Sequence, residues 1–445
     1  MRDGLDGLIG PLEIESLAFG GNGVARFEGR VIFVRGAVPG DLVWVRLLRE
    51  KKRHAEAEAV RFEKLSPARC APLCPVFGEC GGCQWQMLPY PEQLRHKEQI
   101  FRDTLQRQCG VTEEQVAPIL ESPVAWHYRS RVQFKCHLHA DGTLAVGFFR
   151  TGSHFVINIQ SCPVAAPAFN RLLPELREIL QGSPYAAQVT QIDMEIGDGG
   201  GDGGGDDEQV RLVIHYAGTD SAGLLDCLRP LHQDPSRALF LRAGSRSTLR
   251  HVAGPLELSI AVDTPPVRLA YGGGGFAQIN LAQNRRMVAE ALRLAAPEKD
   301  WHLLDLYCGM GNFSLPFARR VAKLVAVEEH AGSIVQGKAN ARHNQLTNID
   351  FFARPAQGAC AAFAGGRGFD LVLLDPPRCG AKEVVAELLE QRVKRILYIS
   401  CDPMTLARDL KLLLAGGYHL VESRPLDMFP QTYHLESLSL LELSI

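Results

Sequence analysis

Five short and almost continuously apolar segments follow one another after about residue 285, separated by stretches with helical patterning. They lie at residues 303–307, 323–328, 370–375, 395–400 and 438–443. Strands buried on both faces have this character, and the helices between them supply the crossovers that parallel strands require. The pattern predicts a doubly wound α/β sheet in the C-terminal part of the chain.

Glycines and an acidic residue follow the first two segments. The first segment runs into C-G-M-G-N at 308–312, where two glycines allow a tight turn and a close approach of the backbone to a ligand. The second ends at Glu328, where a carboxylate can bind ribose hydroxyls. Because position 314 is serine, the G-x-G-x-x-G pyrophosphate fingerprint is incomplete. The pattern favours S-adenosylmethionine over a dinucleotide, and a plain tight turn is the alternative.

The next two segments end in side chains suited to base chemistry. D-P-P-R follows the third segment and starts at Asp375, which is placed to orient a planar base at the carboxyl edge of the sheet. Arg378 stands where amino-group methylases carry an aromatic residue, which argues against methylation of an exocyclic amine. The fourth segment ends in S-C-D-P around Cys401. Spacing alone leaves open whether Cys401 or Cys379 is reactive, or whether both are ordinary structural cysteines.

The chain up to about residue 65 has short apolar or alternating runs separated by turn signals, which predicts a small β-barrel. Seven Lys and Arg side chains lie within residues 46–64. They form either a phosphate-contacting face or a solvated, charged strand pair. The net charge of −2, from 48 basic and 50 acidic residues, excludes a globally basic nucleic-acid binder but not a local basic surface.

Twelve cysteines occur in a chain whose start shows no secretory pattern, which argues against disulfides. Residues 66–91 contain four of them and have too little apolar material for a core, so another interaction must hold this segment. Residues 197–207 predict a flexible surface loop. No apolar run approaches the ~18 residues of a membrane span. A cytoplasmic protein without a membrane partner is therefore expected.

Several motifs in order resemble the bacterial uridine-C5 RNA methyltransferases of the 23S rRNA type, which carry a TRAM domain and an iron–sulfur cluster. These motifs are F-A-Q-I-N (276–280), D-L-Y-C-G-M-G-N-F (305–313), D-P-P-R (375–378), Y-I-S-C-D-P-M-T-L-A-R-D (398–409) and D-M-F-P-Q-T-Y-H-L-E (427–436). G-N-G-V-A-R at 21–26 and V-P-G-D at 38–41 are similar to TRAM sequences. The resemblance covers almost the whole chain.

The resemblance implies three parts. They are a TRAM-like RNA-binding barrel (1–65), a β-rich central iron–sulfur and RNA-binding domain (66–272), and a class I, Rossmann-like methyltransferase domain (273–445). It also implies that a helix near 92–123 packs on the catalytic domain.

The resemblance assigns roles to individual residues. It implies that Cys401 is the nucleophile and Glu436 the general base. The implied S-adenosylmethionine contacts are Gln278, Tyr307, Asn312, Glu328 and Asp375. A polar residue that the family commonly places near the adenine aligns with about Pro355, which has no side-chain hydrogen bond to offer. A thiolate adding to C6 of uracil makes C5 nucleophilic, and a base must afterwards remove the C5 proton.

The cysteine run also has an implied function. Cys74, Cys80 and Cys83 lack a fourth ligand, and Cys162 matches the family's fourth cysteine. Four thiolates suit either a [4Fe–4S] cluster or structural zinc, and the family implies the cluster. Cys70 is left over. The spacing breaks the C-x3-C-x2-C pattern of radical enzymes, so a structural or RNA-supporting role is expected.

The function implied by these features is methylation of C5 of a uridine in 23S rRNA, on RNA not yet fully assembled into ribosomes, by a monomer. One alternative keeps the chemistry and acts on the T-loop uridine of tRNA. Another is a non-catalytic RNA-binding assembly factor, against which the presence of both Cys401 and Glu436 argues. The 5-methylcytidine enzymes place their nucleophile in a T-C-S loop with a second cysteine after D-x-P, and this chain has neither feature.

Overall fold

The structure is a computed structural model that describes residues 7–198, 209–244, 249–365 and 367–444. The predicted loop at 197–207 falls outside these residues from position 199 onward. Within the described residues, no helix is both long enough and apolar enough to cross a membrane.

A six-stranded sheet forms the N-terminal part, with the strand order β1-β5-β6-β4-β3-β2. The core of this sheet is formed by side chains that alternate along the strands. In β5, for example, Val43 and Val45 are buried, whereas Arg46 is exposed. The buried Asp41 carboxylate pairs with Arg69 at 2.7 Å, which ties the P-G-D turn to the chain leaving the sheet. The strands are β1 (Ile9–Glu13), β2 (Ser16–Leu17), β3 (Gly23–Phe27), β4 (Arg30–Arg35), β5 (Leu42–Glu50) and β6 (His54–Lys64).

Helix α1 (Tyr90–Cys109) begins with a proline in its first turn and ends at Gly110 in the left-handed conformation. Its buried side chains Phe101 and Leu105 belong to the same apolar core as the C-terminal sheet. Residues 116–120 then run along an edge strand of that sheet, where Leu120 N donates to Pro425 O at 2.8 Å. Helix α1 therefore contacts the C-terminal sheet although it comes early in the chain.

The middle of the chain forms a seven-stranded sheet with the order β13-β12-β11-β10-β7-β8-β9. Helix α2 buries Phe169, Leu173 and Leu176 against one face of this sheet. The elements are β7 (Arg131–Leu138), β8 (Leu144–Phe149), β9 (Val156–Asn158), α2 (Pro167–Leu180), β10 (Val189–Ile196), β11 (Val210–Tyr216), α3 (Ser221–Cys227), β12 (Arg237–Ala243) and β13 (Leu249–Ala253).

A hairpin and a helix lead into the C-terminal sheet. The hairpin packs on this helix and on the sheet's own core through Leu258, Ile260 and Met287. These elements are β14 (Glu257–Val262), β15 (Val267–Gly272) and α4 (Leu281–Ala295).

The C-terminal sheet has the strand order β18-β17-β16-β19-β20-β22-β21, and the first five strands are parallel. Consecutive residues of one strand pack in two different hydrophobic cores, as Leu303 and Leu304 of β16 do. Both faces of the sheet are therefore buried. The predicted α/β class is confirmed. The elements are β16 (His302–Leu306), α5 (Ser314–Ala318), β17 (Lys323–Glu328), α6 (Ala331–His343), β18 (Ile349–Ala353), α7 (Ala359–Phe363), β19 (Leu371–Leu374), α8 (Lys382–Glu390), β20 (Arg395–Ser400), α9 (Pro403–Ala415), β21 (Tyr418–Leu426) and β22 (Glu436–Leu443).

Candidate active site

The antiparallel pairing of β20 with β22 brings Cys401 and Glu436 together. The register pairs Ser400 with Ser437, and it would next bring Cys401 opposite Glu436. Cys401 is the first residue after β20, and Glu436 is the first residue of β22. The two residues therefore meet at the carboxyl edge of the sheet, where ligands bind in open α/β folds.

A helix cap orders the backbone directly after Cys401. Asp402 caps α9 by accepting hydrogen bonds from Met404 N at 2.8 Å and Thr405 N at 3.0 Å. Burial raises the pKa of the Cys401 thiol to about 12, and the carboxylates of Glu436 and Asp375 act in the same direction. The free site therefore holds Cys401 as a thiol.

The acidic groups of the site are also held toward their neutral forms. Burial, and then the Asp375 carboxylate, raises the pKa of Glu436 to about 8. Burial, and then Glu328, raises the pKa of Asp375 to about 7. Arg378 acts in the opposite direction, because its guanidinium lowers the pKa of both Cys401 and Glu436. The site thus concentrates acidic groups around one cation, a pattern found at functional sites.

The glycine-containing loop lies one strand along the same edge. Tyr307 follows β16 with a backbone φ of 66° and is half-buried. The backbone N–H of Gly309 donates to the Glu328 carboxylate at 3.3 Å, which joins the loop to the end of β17. Asn312 exchanges two side-chain hydrogen bonds with Asn284 of α4, at 2.8 and 3.0 Å. Tyr307, Glu328 and Asp375 therefore lie at the carboxyl ends of neighbouring parallel strands.

Gln278 lies in the loop before α4, and its side chain is half-buried. The central sheet holds this loop, since Ser130 N donates to Ile279 O at 2.8 Å. Asn280 ends the loop and caps α4, which also carries Asn284, the partner of Asn312. The F-A-Q-I-N motif is thus connected to the glycine-containing loop through one helix.

Cys379 lies in a different setting from Cys401. It is exposed, it follows the D-P-P-R motif, and its carbonyl accepts a hydrogen bond from Arg408 at 2.9 Å. Burial is the main cause of the raised pKa of Tyr307, and charge on Cys379 adds to it. Cys379 therefore lies toward the glycine-containing loop, whereas Cys401 lies opposite Glu436.

Four cysteines far apart in the sequence line one cavity. Cys74, Cys80, Cys83 and Cys162 surround it together with Tyr128, Arg129 and Thr432. Their mutual proximity is also visible electrostatically: burial raises the pKa of Cys83 to about 12, with charge on Cys162 and Cys80 adding to the shift. Apolar side chains of Val76, Phe77, Phe148 and Ile159 complete the lining.

The cavity does not present a ready-made site for one ion. Within the described residues, no three or more His, Cys, Asp or Glu side chains are grouped to hold a single metal ion. Cys70 is exposed, and its thiol donates to Gln86 O at 3.4 Å. Gln86 also accepts a hydrogen bond from Cys74 N at 3.0 Å, so the segment is folded around this buried amide.

The basic segment 46–64 contains two kinds of cation. Arg46 and Arg61 pair with Glu58 and Glu63 on the surface of the N-terminal sheet. The side chains at the tip between β5 and β6, Lys51, Lys52 and Arg53, are exposed and form no ion pair with the described part of the chain.

Sequence reasoning missed the interactions that hold the Glu436 segment. The buried Lys97 of α1 donates to Asp427 at 2.7 Å, and Gln93 exchanges hydrogen bonds with Gln431. The D-M-F-P-Q motif marked one side of these contacts. Nothing in the sequence showed that its partners lie more than 300 positions earlier, although a lysine on the buried face of a helix is a signal of a paired charge.

The sequence was also compared with known protein families and with individual proteins. A profile described as tRNA (Uracil-5-)-methyltransferase matches residues 256–444, and a TRAM domain profile matches residues 9–60. The 23S rRNA (uracil(1939)-C(5))-methyltransferase RlmD of Alkalilimnicola ehrlichii is 37% identical over 97% of this chain and 96% of its own. The chain belongs to the RNA (uracil-C5)-methyltransferase family. The predicted enzyme class, an RNA uracil-C5 methyltransferase with a TRAM domain, is confirmed.

Two further comparisons describe the range of this family. RlmD of Pseudomonas fluorescens is 38% identical, covering 97% of this chain and 94% of its own. The crystal structure of a Pyrococcus abyssi tRNA (uracil-54, C5)-methyltransferase, in complex with S-adenosyl-L-homocysteine, superposes with a TM-score of 0.74. It is 24% identical, over 96% of this chain and 99% of its own. The predicted fold is thus found in a known methyltransferase structure.

Proposed function

We propose that this protein methylates C5 of a uridine in 23S rRNA through a covalent adduct between Cys401 and C6 of the base. The observation that carries the proposal is the β20–β22 register, which points a thiol and a carboxyl at one cleft edge. Uracil C5 is a weak nucleophile until a sulfur adds to C6, and it must lose a proton after methylation. One thiol and one base are the groups that this chemistry needs.

Cys401 acts first. Its sulfur forms a bond to C6, and the electron pair of the C5–C6 double bond makes C5 nucleophilic toward a methyl group. Its raised pKa means that a thiolate must be generated in the assembled complex. The Arg378 guanidinium favours this ionisation, since it lowers the pKa of Cys401.

Glu436 acts second. Its carboxylate takes the proton from C5, the C5–C6 double bond re-forms, and the bond from C6 to the Cys401 sulfur breaks. A base with a pKa of about 8 is well matched to proton transfer near neutral pH. Burial, the main cause of this pKa, also keeps bulk water from the carboxyl.

The glycine-containing loop fits S-adenosylmethionine, whose sulfonium supplies the methyl group when bound. Glu328 ends β17 and is suited to ribose hydroxyls, and the backbone at Gly309 is open to a ligand. Gln278, Tyr307, Asn312 and Asp375 would complete the contacts. The family's usual polar residue near the adenine is absent at Pro355, so backbone groups or a neighbouring side chain would bind that edge.

Ribosomal RNA is favoured over tRNA as the substrate. The two full-length relatives at 37% and 38% identity are 23S rRNA enzymes, whereas the tRNA enzyme of similar fold is 24% identical. The function is tested by mass mapping of 23S rRNA and tRNA from a strain lacking the gene, with complementation by the wild type and by Cys401→Ala. We expect one 5-methyluridine to disappear from 23S rRNA and to return only with the wild type. Loss from tRNA instead would support the alternative substrate, and no loss from either RNA would contradict the function.

Cys74, Cys80, Cys83 and Cys162 are proposed to hold a [4Fe–4S] cluster. Four sulfurs around one cavity with an apolar wall support this ligand set. Anaerobic purification with iron and sulfide analysis is the test, with Cys162→Ser as the variant and Cys70→Ser as the matched control. We expect Cys162→Ser to lose iron and Cys70→Ser to keep it. Stoichiometric zinc without iron would contradict the cluster.

We also propose a division of the chain into three domains. Residues 1–65 would form an RNA-binding barrel, 66–272 a central cluster and RNA-binding domain, and 273–445 the methyltransferase domain. We infer a monomer that acts on RNA before the ribosome is fully assembled.

A further inference from the structure

The loop that delivers Glu436 is held by four consecutive backbone carbonyls. It joins β21 to β22 and spans residues 427–435. Each carbonyl accepts a hydrogen bond from a different part of the chain: Met428 O from Asn280, Phe429 O from Lys97, Pro430 O from the Tyr128 hydroxyl, and Gln431 O from Gln84 N and Trp85 N. All these distances lie between 3.0 and 3.2 Å. Connecting loops are usually more mobile than the elements they join, so these contacts hold this loop more firmly than is usual.

A buried ion pair accompanies these contacts. Lys97 and Asp427 have no exposed side-chain surface, and their charged atoms lie 2.7 Å apart. The Lys97 ammonium also donates to Phe429 O at 3.1 Å, and Asp427 accepts from Phe429 N at 3.1 Å. A buried pair of this kind adds little net stability compared with apolar packing, because both charges lose their hydration. Its value lies in fixing one geometry.

A second pair reinforces the first. The Gln93 side chain donates to Gln431 Oε1 at 2.9 Å and accepts from Gln431 N at 2.8 Å. Gln431 has a φ of 70°, a conformation that a non-glycine residue adopts at a cost. The surrounding hydrogen bonds keep the loop in this strained conformation, so removing them allows it to relax.

The loop acts on one catalytic group and not on the other. Glu436 is the residue at which the loop ends, and it is paired with Leu426, the residue just before the loop begins. The backbone after Cys401 is held by the Asp402 cap of α9, whose hydrogen bonds involve no residue of the loop. Relaxation of the loop therefore displaces the base and leaves the nucleophile in place.

We propose that Lys97 and Gln93 of α1 are positioning residues for proton abstraction, because they fix the 427–435 loop and hold Glu436 against the C5 proton of the adduct. This inference rests on the proposed function. In that reaction, adduct formation uses Cys401, and adduct breakdown moves a proton from C5 to Glu436 and breaks the sulfur–C6 bond. Loss of the contacts from α1 should slow the second step alone.

The test follows both steps in single-turnover reactions with RNA containing ordinary uridine. The variant Lys97→Met/Asp427→Asn removes the charge pair without leaving a buried charge and keeps an acceptor for Phe429 N. We expect adduct formation at the wild-type rate and breakdown slowed by about tenfold or more. A covalent protein–RNA species should accumulate. Tyr128→Phe loses only the hydroxyl bound to Pro430 O, so it should fold even if the double variant does not, and it should slow breakdown to a smaller extent.

The matched control is Leu105→Ala, which truncates a buried side chain of the same helix that packs in the core of the C-terminal sheet. It lowers stability without touching the loop, so both steps should fall in the same proportion and no adduct should accumulate. If the double variant and Tyr128→Phe behave like this control, the positioning role is wrong while the methyltransferase function stands. If the wild type itself forms neither the adduct nor 5-methyluridine, the proposed function fails instead.

Discussion

The proposed reaction requires Cys401 and Glu436 to be ionised at different moments, yet the two residues share one buried edge of the sheet. Charge on Glu436 opposes the ionisation of Cys401, since it raises the pKa of the Cys401 thiol. Two negative charges this close are costly in a site of low polarity. A reaction that uses the thiolate first and the carboxylate second separates the two demands in time. Bond formation at C6 removes the charge from sulfur before Glu436 acts.

The pH dependence of adduct breakdown should report Glu436. A general base is active only in its ionised form, and the pKa of Glu436 is raised to about 8 by burial and by Asp375. The rate should therefore rise with pH below about 8 and level off above it. Single-turnover measurements between about pH 6 and about pH 9 test this expectation. Arg378→Gln removes the cation that lowers this pKa, so its profile should shift to higher pH, and a flat wild-type profile would contradict the assignment.

Substitution of the two groups should stop the reaction at different points. Cys401→Ala should be inactive and should not crosslink to RNA containing 5-fluorouridine, whose fluorine cannot leave as a proton. Glu436→Gln should form the adduct and accumulate it with ordinary uridine, because the C5 proton has no acceptor. Cys379→Ala is the matched control and should behave nearly like the wild type in gel-shift and methyl-transfer assays. An adduct that survives in Cys401→Ala and vanishes in Cys379→Ala would reverse the assignment.

The sequence named these residues by resemblance but could not place them. Apolar runs identified β20 and β22, and both Cys401 and Cys379 followed parallel strands. The antiparallel register of β22 is what brings Glu436 opposite Cys401 at the end of β20. Register depends on how a strand inserts between two neighbours, and that is a property of the assembled sheet. The raised pKa values likewise depend on burial, which only the fold determines.

At the level of elements, the prediction of strands was best where both faces are buried. The five apolar runs correspond to β16, β17, β19, β20 and β22. The outer strands β18 and β21 were not predicted, because an edge strand needs less apolar sequence. β21 also contains Pro425, and this residue argues against a central strand. The barrel strands were found through their turns rather than through their own composition.

The two glycines after β16 should differ in their tolerance of substitution. Gly311 has a φ of 103°, outside the left-handed region that side chains can share, and a Cβ there would approach Leu315 Cδ1 at 2.2 Å. Gly309 has a φ of 54° and open space around it. Gly311→Ala should therefore lose about 1–3 kcal/mol of stability and bind S-adenosylmethionine much more weakly by calorimetry. Gly309→Asn is the matched control for stability, and equal losses of stability in both variants would show that the backbone conformation at Gly311 is not the cause.

At the level of the whole molecule, the loop before Glu436 is the point where distant parts of the chain meet. Tyr433 contacts Phe19 of the N-terminal part, with ring centroids 5.7 Å apart. Trp85, which donates to Gln431 O, also donates through its indole N–H to Gly21 O at 3.0 Å. The cysteine-containing segment 66–91 is therefore packed between the N-terminal barrel and the 427–435 loop. These contacts connect the N-terminal part to the loop that ends at Glu436.

The tip between β5 and β6 should contribute RNA affinity without contributing to the chemistry. Lys51, Lys52 and Arg53 are exposed at the turn that joins β5 to β6. If each contacts one phosphate, neutralising all three should lower the slope of log affinity against log salt by about 2, from about 0.7 per charge on single-stranded RNA. The single-turnover rate at saturating RNA should remain close to the wild-type rate.

A control variant with the same change in net charge tests whether the position of these cations matters, and not only their number. Arg26, Arg30 and Arg46 lie on the same barrel but pair with Glu15, Glu50 and Glu58. Replacing these three by glutamine changes the net charge by the same amount, so a long-range effect of charge would weaken RNA binding equally. We expect a clearly smaller change in the salt slope from this control, measured by filter binding over a range of salt concentrations. Equal slopes in the two triple variants, or a large single-turnover defect at saturating RNA in the tip variant, would exclude the tip as a phosphate-contacting face.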